Sequence, residues 1–136
     1  MKVLLVNGSP HRKGETYNAL SLVETSLNEK GIGTEWFWIG NKPVRGCVDC
    51  GKCSKQARMV ALFKGKPAAA VASCMRSGAN STIDRINKYF SFSEMPIVSS
   101  NYWNMLFDTQ SQMGTDEKGN KTMQTLGYNM VAILQK

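Results

Sequence analysis

The stretch Lys2–Thr16, KVLLVNGSPHRKGET, decides the fold class of this chain. It begins with a nearly continuous apolar run, which is typical of a parallel strand buried on both faces, and it ends in a loop that starts with Gly-Ser-Pro. After Thr16, the apolar residues Leu20, Val23 and Leu27 are spaced as on one face of a helix. Strand, glycine loop and helix in this order predict the first half of a βαβ unit.

Further along the chain, strand and helix patterns continue to alternate. Strands are predicted at residues 35–39, 67–73 and 95–99, a short helix at 54–63, and helical stripes at Ile83, Ile86 and Phe90 and at Met123, Leu126, Met130 and Ile133. Three loops, residues 8–16, 74–80 and 100–115, follow predicted strands. Because ligands of parallel α/β sheets bind beyond the carboxyl ends of the strands, we expect these loops to converge on one edge.

The composition fits one globular domain spanning residues 1–136. The chain is 42% hydrophobic and 20% charged, which is ordinary for a folded domain of this length. Its apolar runs are far shorter than the ~20 residues of a membrane-spanning helix, and the N-terminus enters a strand-like run without a signal-peptide pattern. We therefore expect a cytoplasmic protein that does not bind membranes.

The positive charge of the chain has a local explanation. The net charge is +7, but the basic residues are scattered, and the densest group is His11, Arg12 and Lys13 in the first glycine loop. A small phosphate is the simpler partner for such a loop, and we do not expect nucleic acid binding.

The loop of residues 7–16 has the chemistry of a phosphate site. It offers hydroxyls at Ser9 and Thr16, cations at Arg12 and Lys13, and backbone N–H groups at the start of a helix, whose dipole favours anions. It contains neither GxxxxGK[ST] nor GxGxxG. The alternative is that Ser9 and Thr16 only cap the turn and the helix.

Several segments together resemble a known family. MKVLLVNGSPHRKGET, GNKPVRGCVDCGKC, KGKPAAAVAS, INKYF, MPIVSSNYWNM and TMQTLGYNM are similar to the NAD(P)H-dependent FMN reductases of the flavodoxin-like fold. The resemblance implies a three-layer α/β sandwich with a five-stranded parallel sheet of order 2-1-3-4-5 and FMN at its carboxyl edge. It also implies NADPH or NADH as reductant, a small acceptor such as a quinone, and a homodimer or homotetramer.

The resemblance also implies which residues bind FMN. The phosphate would lie at Ser9, His11, Arg12, Thr16 and Tyr17, and the ring at Ser73, Arg76 and Gly78. Arg76 would stabilise negative charge on the reduced ring, unless it is an ordinary solvated loop cation. Tyr102, Trp103 and Asn104 would lie near the flavin or at a subunit interface; the alternative is a buried aromatic anchor. No catalytic residue is assigned, because hydride transfer to a flavin requires no protein base.

One part of the family pattern has no counterpart in this chain. The resemblance runs to about Val60 and resumes at about Leu62, whereas relatives place a central strand with its flanking helices there, ~50 residues at typical element lengths. We expect that a segment near residues 60–61 is omitted or deleted. The chain should then either be broken there or pair the strands at 2–7 and 67–73 directly.

Three cysteines lie close together in GCVDCGKC, at Cys47, Cys50 and Cys53, and the fourth is Cys74. The C-x2-C-x2-C spacing suits a metal or an iron-sulfur cluster, as in the related iron-sulfur flavoproteins, but three thiolates do not complete such a site. A 4Fe-4S cluster, zinc and a redox-active thiol pair are the functional alternatives. We expect half-buried loop cysteines without metal.

The sequence therefore favours an FMN-binding oxidoreductase that uses NAD(P)H. One alternative is a flavodoxin-like binding protein or scaffold without redox turnover, because the loop that covers the flavin ring in relatives is missing. Another is an electron carrier similar to the iron-sulfur flavoproteins.

Overall fold

The computed structural model describes residues 1–51, 62–107 and 116–136. In these residues the chain is α/β, with helices and parallel strand pairs, consistent with the predicted flavodoxin-like class. The strands are β1 (Lys2–Asn7), β2 (Gly33–Trp38), β3 (Ala72–Cys74) and β4 (Met105–Phe107). The helices are α1 (Glu15–Glu29), α2 (Ala79–Phe92) and α3 (Glu117–Leu134).

The predicted βαβ unit at the N-terminus is confirmed. β1 pairs in parallel with β2, from Lys2 opposite Gly33 to Asn7 opposite Trp38, and α1 connects the two strands. β2 starts two residues before the predicted strand at 35–39 and ends one residue earlier. Strand ends shift by this much because backbone pairing continues beyond the apolar residues that mark a strand in sequence.

The second half of the sheet departs from the prediction. Ala68 pairs with Ile97 in an isolated bridge, whereas Ala72, four residues later, pairs with Met105. The partner segment therefore carries four extra residues between these pairings and bulges outward at residues 99–103. The prediction of a regular strand at 95–99 followed by a loop to residue 115 was wrong, because the strand resumes as β4.

Asn104 explains why the strand resumes beyond the bulge. Its side-chain Nδ2 donates to the carbonyl of Ala70 at 3.1 Å, and its own carbonyl accepts from the N–H of Ala72 at 3.0 Å. The side chain is buried, so both hydrogen bonds form away from water and align β4 beside β3.

Two apolar clusters lie on opposite faces of the strands. The larger joins α1 and α3 to both strand pairs and consists of Leu5, Ala19, Leu20, Val23, Leu27, Ile32, Val98, Leu106, Met123, Leu126, Met130 and Val131. The smaller packs α2 against β3 and β4 through Ala70, Ala72, Ala79, Ile83 and Met105. The β3–β4 pair is thus covered on both faces, as the predicted three-layer arrangement requires.

Among the described residues, apolar packing covers only one face of the β1–β2 pair. Leu5 faces α1 and α3 and is 3% exposed, whereas Leu4 and Val6, which point to the opposite face, are 57% and 45% exposed. Phe37 of β2 adds a third exposed apolar side chain to that face, at 55%.

Within the described residues, β1 pairs only with β2 and β3 only with β4. The strands at 2–7 and 67–73 are therefore not joined side by side there, and the single five-stranded sheet of order 2-1-3-4-5 is not seen in this part of the chain. Residues 60–61, where a break was predicted, and most of the predicted helix at 54–63 lie outside the described residues. None of the described helices is both long and apolar enough to cross a membrane.

Candidate functional site

Asn7, the last residue of β1, organises the loop of residues 8–14. Its side chain is 1% exposed, and its Nδ2 donates to the carbonyl of Arg12 at 3.1 Å. Its Oδ1 accepts from the backbone N–H of Ser9 at 2.9 Å. One buried amide therefore holds both sides of the loop, because each of its polar atoms needs a partner away from water.

Trp38, at the end of β2, supports the same loop from the neighbouring strand. Its indole Nε1 donates to the carbonyl of Ser9 at 2.9 Å. The guanidinium carbon of Arg12 lies 5.7 Å from the centre of the Trp38 ring, within the range of a cation–π contact. Trp38 thus restrains both the backbone and the main cation of the loop.

The start of α1 has the donors that an anion needs. Gly14 is the N-cap residue and no side chain caps the helix, whose first backbone bond runs from the Asn18 N–H to the Gly14 carbonyl at 3.1 Å. The N–H groups of the first helical turn have no partner inside a helix, and the helix dipole adds positive potential there. Neither Ser9 nor Thr16 caps α1, but Ser9 Oγ accepts from the His11 N–H, so the purely structural alternative fails for the helix and holds for the turn.

Two side chains near the start of α1 affect the charge of the candidate phosphate site. The Glu15 carboxylate accepts from Asn18 Nδ2 at 3.2 Å, so its negative charge is partly engaged along the helix. His11 is exposed, and its backbone N–H donates to Ser9 Oγ at 3.2 Å. The site as a whole, with Arg12 and Lys13 beside an uncapped helix, fits a phosphate group.

The first two predicted ligand loops meet at one hydrogen bond. Thr16 Oγ1 and Ser73 Oγ lie 3.2 Å apart, which joins the start of α1 to the end of β3. This contact places the first loop beside the end of β3, as expected for loops that converge on one edge. Arg76 is exposed beyond Ser73, and Gly78 takes a left-handed conformation (φ 94°) just before α2.

The third loop completes this edge and forms a cleft. Its volume is about 220 Å³, and we call it the aromatic cleft; its main walls are Cys74, Arg76, Gly78, Tyr102, Trp103 and Phe107. The rings of Tyr102 and Trp103 lie 4.9 Å apart at an interplanar angle of 59°. Both side chains are more than half exposed, so the alternative of a buried anchor does not hold for them. Both lie in the bulge at residues 99–103.

A larger groove of about 520 Å³ lies elsewhere, between the C-terminal ends of α1 and α3 beside Lys30, Tyr128 and Gln135. It is shallow, and it is at the opposite end of α1 from the phosphate loop. The polar groups that could fix a nucleotide lie at the other end, so this groove is not part of the candidate site.

The ring of Tyr17 packs against β2, although the resemblance assigns Tyr17 to the FMN phosphate. Its ring lies 4.7 Å from the ring of Trp36 on β2, tilted by 31°. The backbone N–H of Tyr17 lies in the first turn of α1, whereas its ring packs against β2. Sequence reasoning also missed Asn7 and Trp38. A signal existed for Asn7, because a polar residue that ends an apolar strand next to a glycine is typical of a buried loop anchor.

The cysteine cluster is only partly described. Cys47 and Cys50 are exposed, and the N–H of Asp49 lies 3.4 Å from Cys47 Sγ; Cys53 lies outside the described residues. The expectation of half-buried loop cysteines is therefore wrong for Cys47 and Cys50, whereas Cys74 is intermediate. Across residues 1–51, 62–107 and 116–136, no group of three or more His, Cys, Asp or Glu side chains is placed to hold a metal.

Comparisons with known proteins agree with this geometry in the N-terminal part of the chain. Residues 1–62 match the family model described as NADPH-dependent FMN reductase. An iron-sulfur flavoprotein of Methanocaldococcus jannaschii is 29% identical over 58 residues, which are 43% of this chain and 30% of that protein. The match thus spans less than a third of that relative. The family resemblance indicated by the sequence is confirmed over residues 1–62, the part that forms β1, α1 and β2.

Proposed function

We propose that this chain is an oxidoreductase that binds FMN noncovalently, with the phosphate in the loop of residues 8–16. The observation that carries the proposal is the uncapped start of α1 beside a loop that Asn7 and Trp38 hold in place. The match of residues 1–62 to NADPH-dependent FMN reductases supports FMN as the phosphate-bearing ligand.

In this proposal, two sets of residues have separate tasks. Those that bind the phosphate are Ser9, His11, Arg12, Thr16 and Tyr17, the last through its backbone, and those next to the ring are Ser73, Arg76 and Gly78. Arg12 neutralises phosphate charge, and the cation–π contact with Trp38 keeps its guanidinium beside the loop. Arg76 supplies positive charge where negative charge develops during reduction.

The bound flavin would supply the redox chemistry, taking a hydride from NADPH or NADH and passing two electrons to a small acceptor such as a quinone. The protein would orient the flavin by the Thr16–Ser73 contact, which brings the phosphate loop next to Ser73, one of the residues assigned to the flavin ring. We further propose a cytoplasmic homodimer or homotetramer, as the resemblance implies.

FMN fluorescence titration tests the cofactor. We expect quenching with a dissociation constant in the micromolar range, and a loss of affinity of about tenfold or more in Arg12→Ala, since a charged hydrogen bond contributes about 1.5–3 kcal/mol. Arg85→Ala is the matched control, because Arg85 is an exposed residue of α2 that does not line the aromatic cleft. No quenching at about 50 μM FMN would overturn the proposal.

Turnover distinguishes the oxidoreductase from a binding protein with the same fold. FMN-loaded protein should oxidise NADPH or NADH when a quinone is added, and Arg12→Ala should recover activity at high FMN. Tight FMN binding without any nicotinamide oxidation would instead support the binding protein or scaffold.

An iron-sulfur electron carrier is the second candidate, favoured by the similarity to an iron-sulfur flavoprotein and by the C-x2-C-x2-C sequence. Anaerobic incubation with ferrous iron and sulfide should then give a broad visible absorption. Cys47→Ser and Cys50→Ser should abolish it, and Cys74→Ser should reveal whether the fourth thiol takes part.

A further inference from the structure

β1 and β3 are neighbours on the layer formed by α1 and α3. Tyr17 and Glu24 of α1 both contact Trp36 of β2, through a ring contact and a hydrogen bond to the indole. Thr16 instead contacts Ser73 at the end of β3. Positions 17 and 24 lie on one side of the helix, whereas position 16 is turned about 100° away from them. The order of strands across the layer is therefore β2, β1, β3, β4.

The side of β1 that faces β3 has open backbone groups. The Ile39 N–H donates to the Asn7 carbonyl at 3.0 Å, so the N–H and C=O of Asn7 point towards β2. Successive residues of a strand direct these groups to opposite sides, so Leu4 and Val6 direct theirs away from β2. Both residues are also well exposed, at 57% and 45%, which makes this side of the strand accessible.

The side of β3 that faces β1 is open in the same way. The Ala72 N–H donates to the Asn104 carbonyl at 3.0 Å, so Ala72 points towards β4. Val71 and Ser73, on either side of Ala72, therefore direct their N–H and C=O groups towards β1. Across residues 1–51, 62–107 and 116–136, no backbone hydrogen bond joins β3 to β1. Two rows of backbone donors and acceptors thus line the space between β1 and β3, which we call the strand gap.

The backbone chemistry of the strand gap selects an extended peptide. A strand presents alternating N–H and C=O groups along both of its edges, and such groups are almost always paired when a sheet is complete. An unpaired strand edge is a template for a further strand, and proteins use such edges to bind extended segments of other chains. The strand gap offers two such edges to one segment.

The side chains around the strand gap favour an apolar segment. On one face, Val71 packs against the cluster that joins α1 and α3 and contains Leu5. On the opposite face of β1, Leu4 and Val6 are exposed, and Phe37 of β2 lies on the same face. A strand in the gap would therefore have apolar neighbours on both faces. Val and Ile suit a strand in this position, because β-branched side chains pack well in sheets that are covered on both faces.

A second copy of this chain fits the strand gap less well than a free segment does. The gap is bounded on both sides, so the entering strand must be free along both of its edges. Each of the four described strands is already paired along one edge. A second copy would have to separate one of its own strand pairs, whereas an extended segment of another polypeptide would not.

We propose that the strand gap binds an extended segment rich in Val and Ile from another polypeptide, which joins the two strand pairs into one sheet. β1 has six residues, so a segment of about eight residues covers it with one residue to spare at each end. This binding does not depend on FMN, because it uses the backbone of β1 and β3.

Hydrogen exchange of the full chain, followed by NMR, tests the strand gap. In the free protein the amides of Leu4 and Val71 should exchange at least about tenfold faster than those of Leu5 and Ala72, which point towards paired strands. The acetylated and amidated peptide Lys-Thr-Val-Ile-Val-Val-Thr-Glu should slow exchange at Leu4 and Val71 by about tenfold or more. Slow exchange at Leu4 and Val71 before the peptide is added would show that the gap is already filled and would overturn the proposal. Protection that appears only as the protein concentration rises would identify a second copy as the occupant, with the same consequence.

N-methylated peptides distinguish insertion between two strands from addition to one edge. Adjacent residues of an inserted strand pair with β1 and β3 in turn. Methylation of the amide nitrogen at the fourth or at the fifth peptide residue should therefore weaken binding by about tenfold in each case. A loss for only one of these peptides would indicate addition to a single edge. No loss for either would show that the backbone is not recognised, and both results contradict insertion.

A proline substitution tests the contribution of β1. Val6→Pro removes an N–H that points into the strand gap and none that pairs with β2, so the peptide should no longer bind. Val44→Pro, in an exposed loop, is the matched control and should bind the peptide as the wild type does. Circular dichroism checks the fold of both variants, and unchanged affinity in a folded Val6→Pro protein would contradict the proposal. If Val6→Pro does not fold, the N-methylated peptides decide the question with the wild-type protein.

Discussion

Asn7 shows how one buried polar side chain can shape a binding loop. Its amide satisfies a backbone N–H on one side of the loop and a carbonyl on the other, at 2.9 and 3.1 Å. Removing it leaves two backbone groups next to the core without their partner, and the loop loses the contact that sets its width.

We expect Asn7→Ala to lower the free energy of unfolding by about 1–3 kcal/mol, the cost of leaving such groups unsatisfied. FMN affinity should fall as well, because the phosphate loop is no longer held. Urea denaturation and FMN titration measure the two effects. Asn28→Ala, an exposed change in the last turn of α1, should stay within about 0.5 kcal/mol. An unchanged Asn7→Ala protein would contradict the role given to this side chain.

Tyr128 carries a pH-dependent contact between α3 and α1. Its hydroxyl donates to Glu29 Oε2 at 2.6 Å, and this hydrogen bond, together with burial and the negative charge of Glu29, raises the Tyr128 pKa above its usual 10.0. Because the folded-state pKa is raised, the stabilisation is complete below the ordinary tyrosine pKa and is lost as pH rises through the higher value.

The expected outcome is that Glu29→Gln lowers the Tyr128 pKa towards its ordinary value. Ultraviolet titration of tyrosinate in the wild type and in Glu29→Gln measures the shift, and Tyr128→Phe identifies which tyrosine is responsible. Identical titration curves for the first two proteins would show that the contact is not formed in solution.

At the scale of elements, α1 and α3 pack closely against each other, and a glycine makes this possible. A Cβ placed on Gly127 would lie 2.5 Å from Ser26 Cβ and 3.0 Å from the Val23 carbonyl oxygen. Ser26 is itself 1% exposed, so neither helix has room to accept another carbon.

Gly127→Ala should therefore destabilise the protein, although alanine is the better helix former by about 1 kcal/mol. Overpacking of a core costs about 1–3 kcal/mol, and here one of the atoms in the way belongs to the backbone. Thermal and urea unfolding measure the change, with Gln124→Ala on the exposed side of α3 as control. A more stable Gly127→Ala protein would mean that α1 and α3 lie farther apart in solution than in the structure.

At the scale of the whole molecule, the helix pair α1–α3 is the layer on which both strand pairs rest. Leu5 from β1 and Leu106 from β4 are packed into the same apolar cluster, although their strands belong to different pairs in the described residues. The opposite face of β1–β2 contributes little to this core, because Leu4 and Val6 are exposed there.

This asymmetry predicts a large loss of stability at one position of β1 and a small loss at the adjacent position. Leu5→Ala should cost about 2–5 kcal/mol, as for a buried leucine, whereas Leu4→Ala should cost less than about 1 kcal/mol. Urea denaturation followed by circular dichroism compares them directly. Equal losses at both positions would show that the second face of β1 is also covered.

Local patterns in the sequence determined β1, α1, α2 and α3, and they placed the phosphate loop after the first strand. These features follow from the spacing of neighbouring apolar residues and from turn chemistry, both of which act over a few residues. The comparison confirms the family resemblance over residues 1–62.

Only the tertiary structure decided where β4 lies, which side chains hold the phosphate loop, and which face of β1 is open. β4 depends on hydrogen bonds between Asn104 and a strand more than thirty residues earlier, and the loop depends on Trp38 from the neighbouring strand. Such contacts join segments that are distant in sequence and leave no periodic signal. Likewise, Leu4 and Leu5 are the same residue type in one apolar run, and only the packing of α1 and α3 on one side makes one buried and the other exposed.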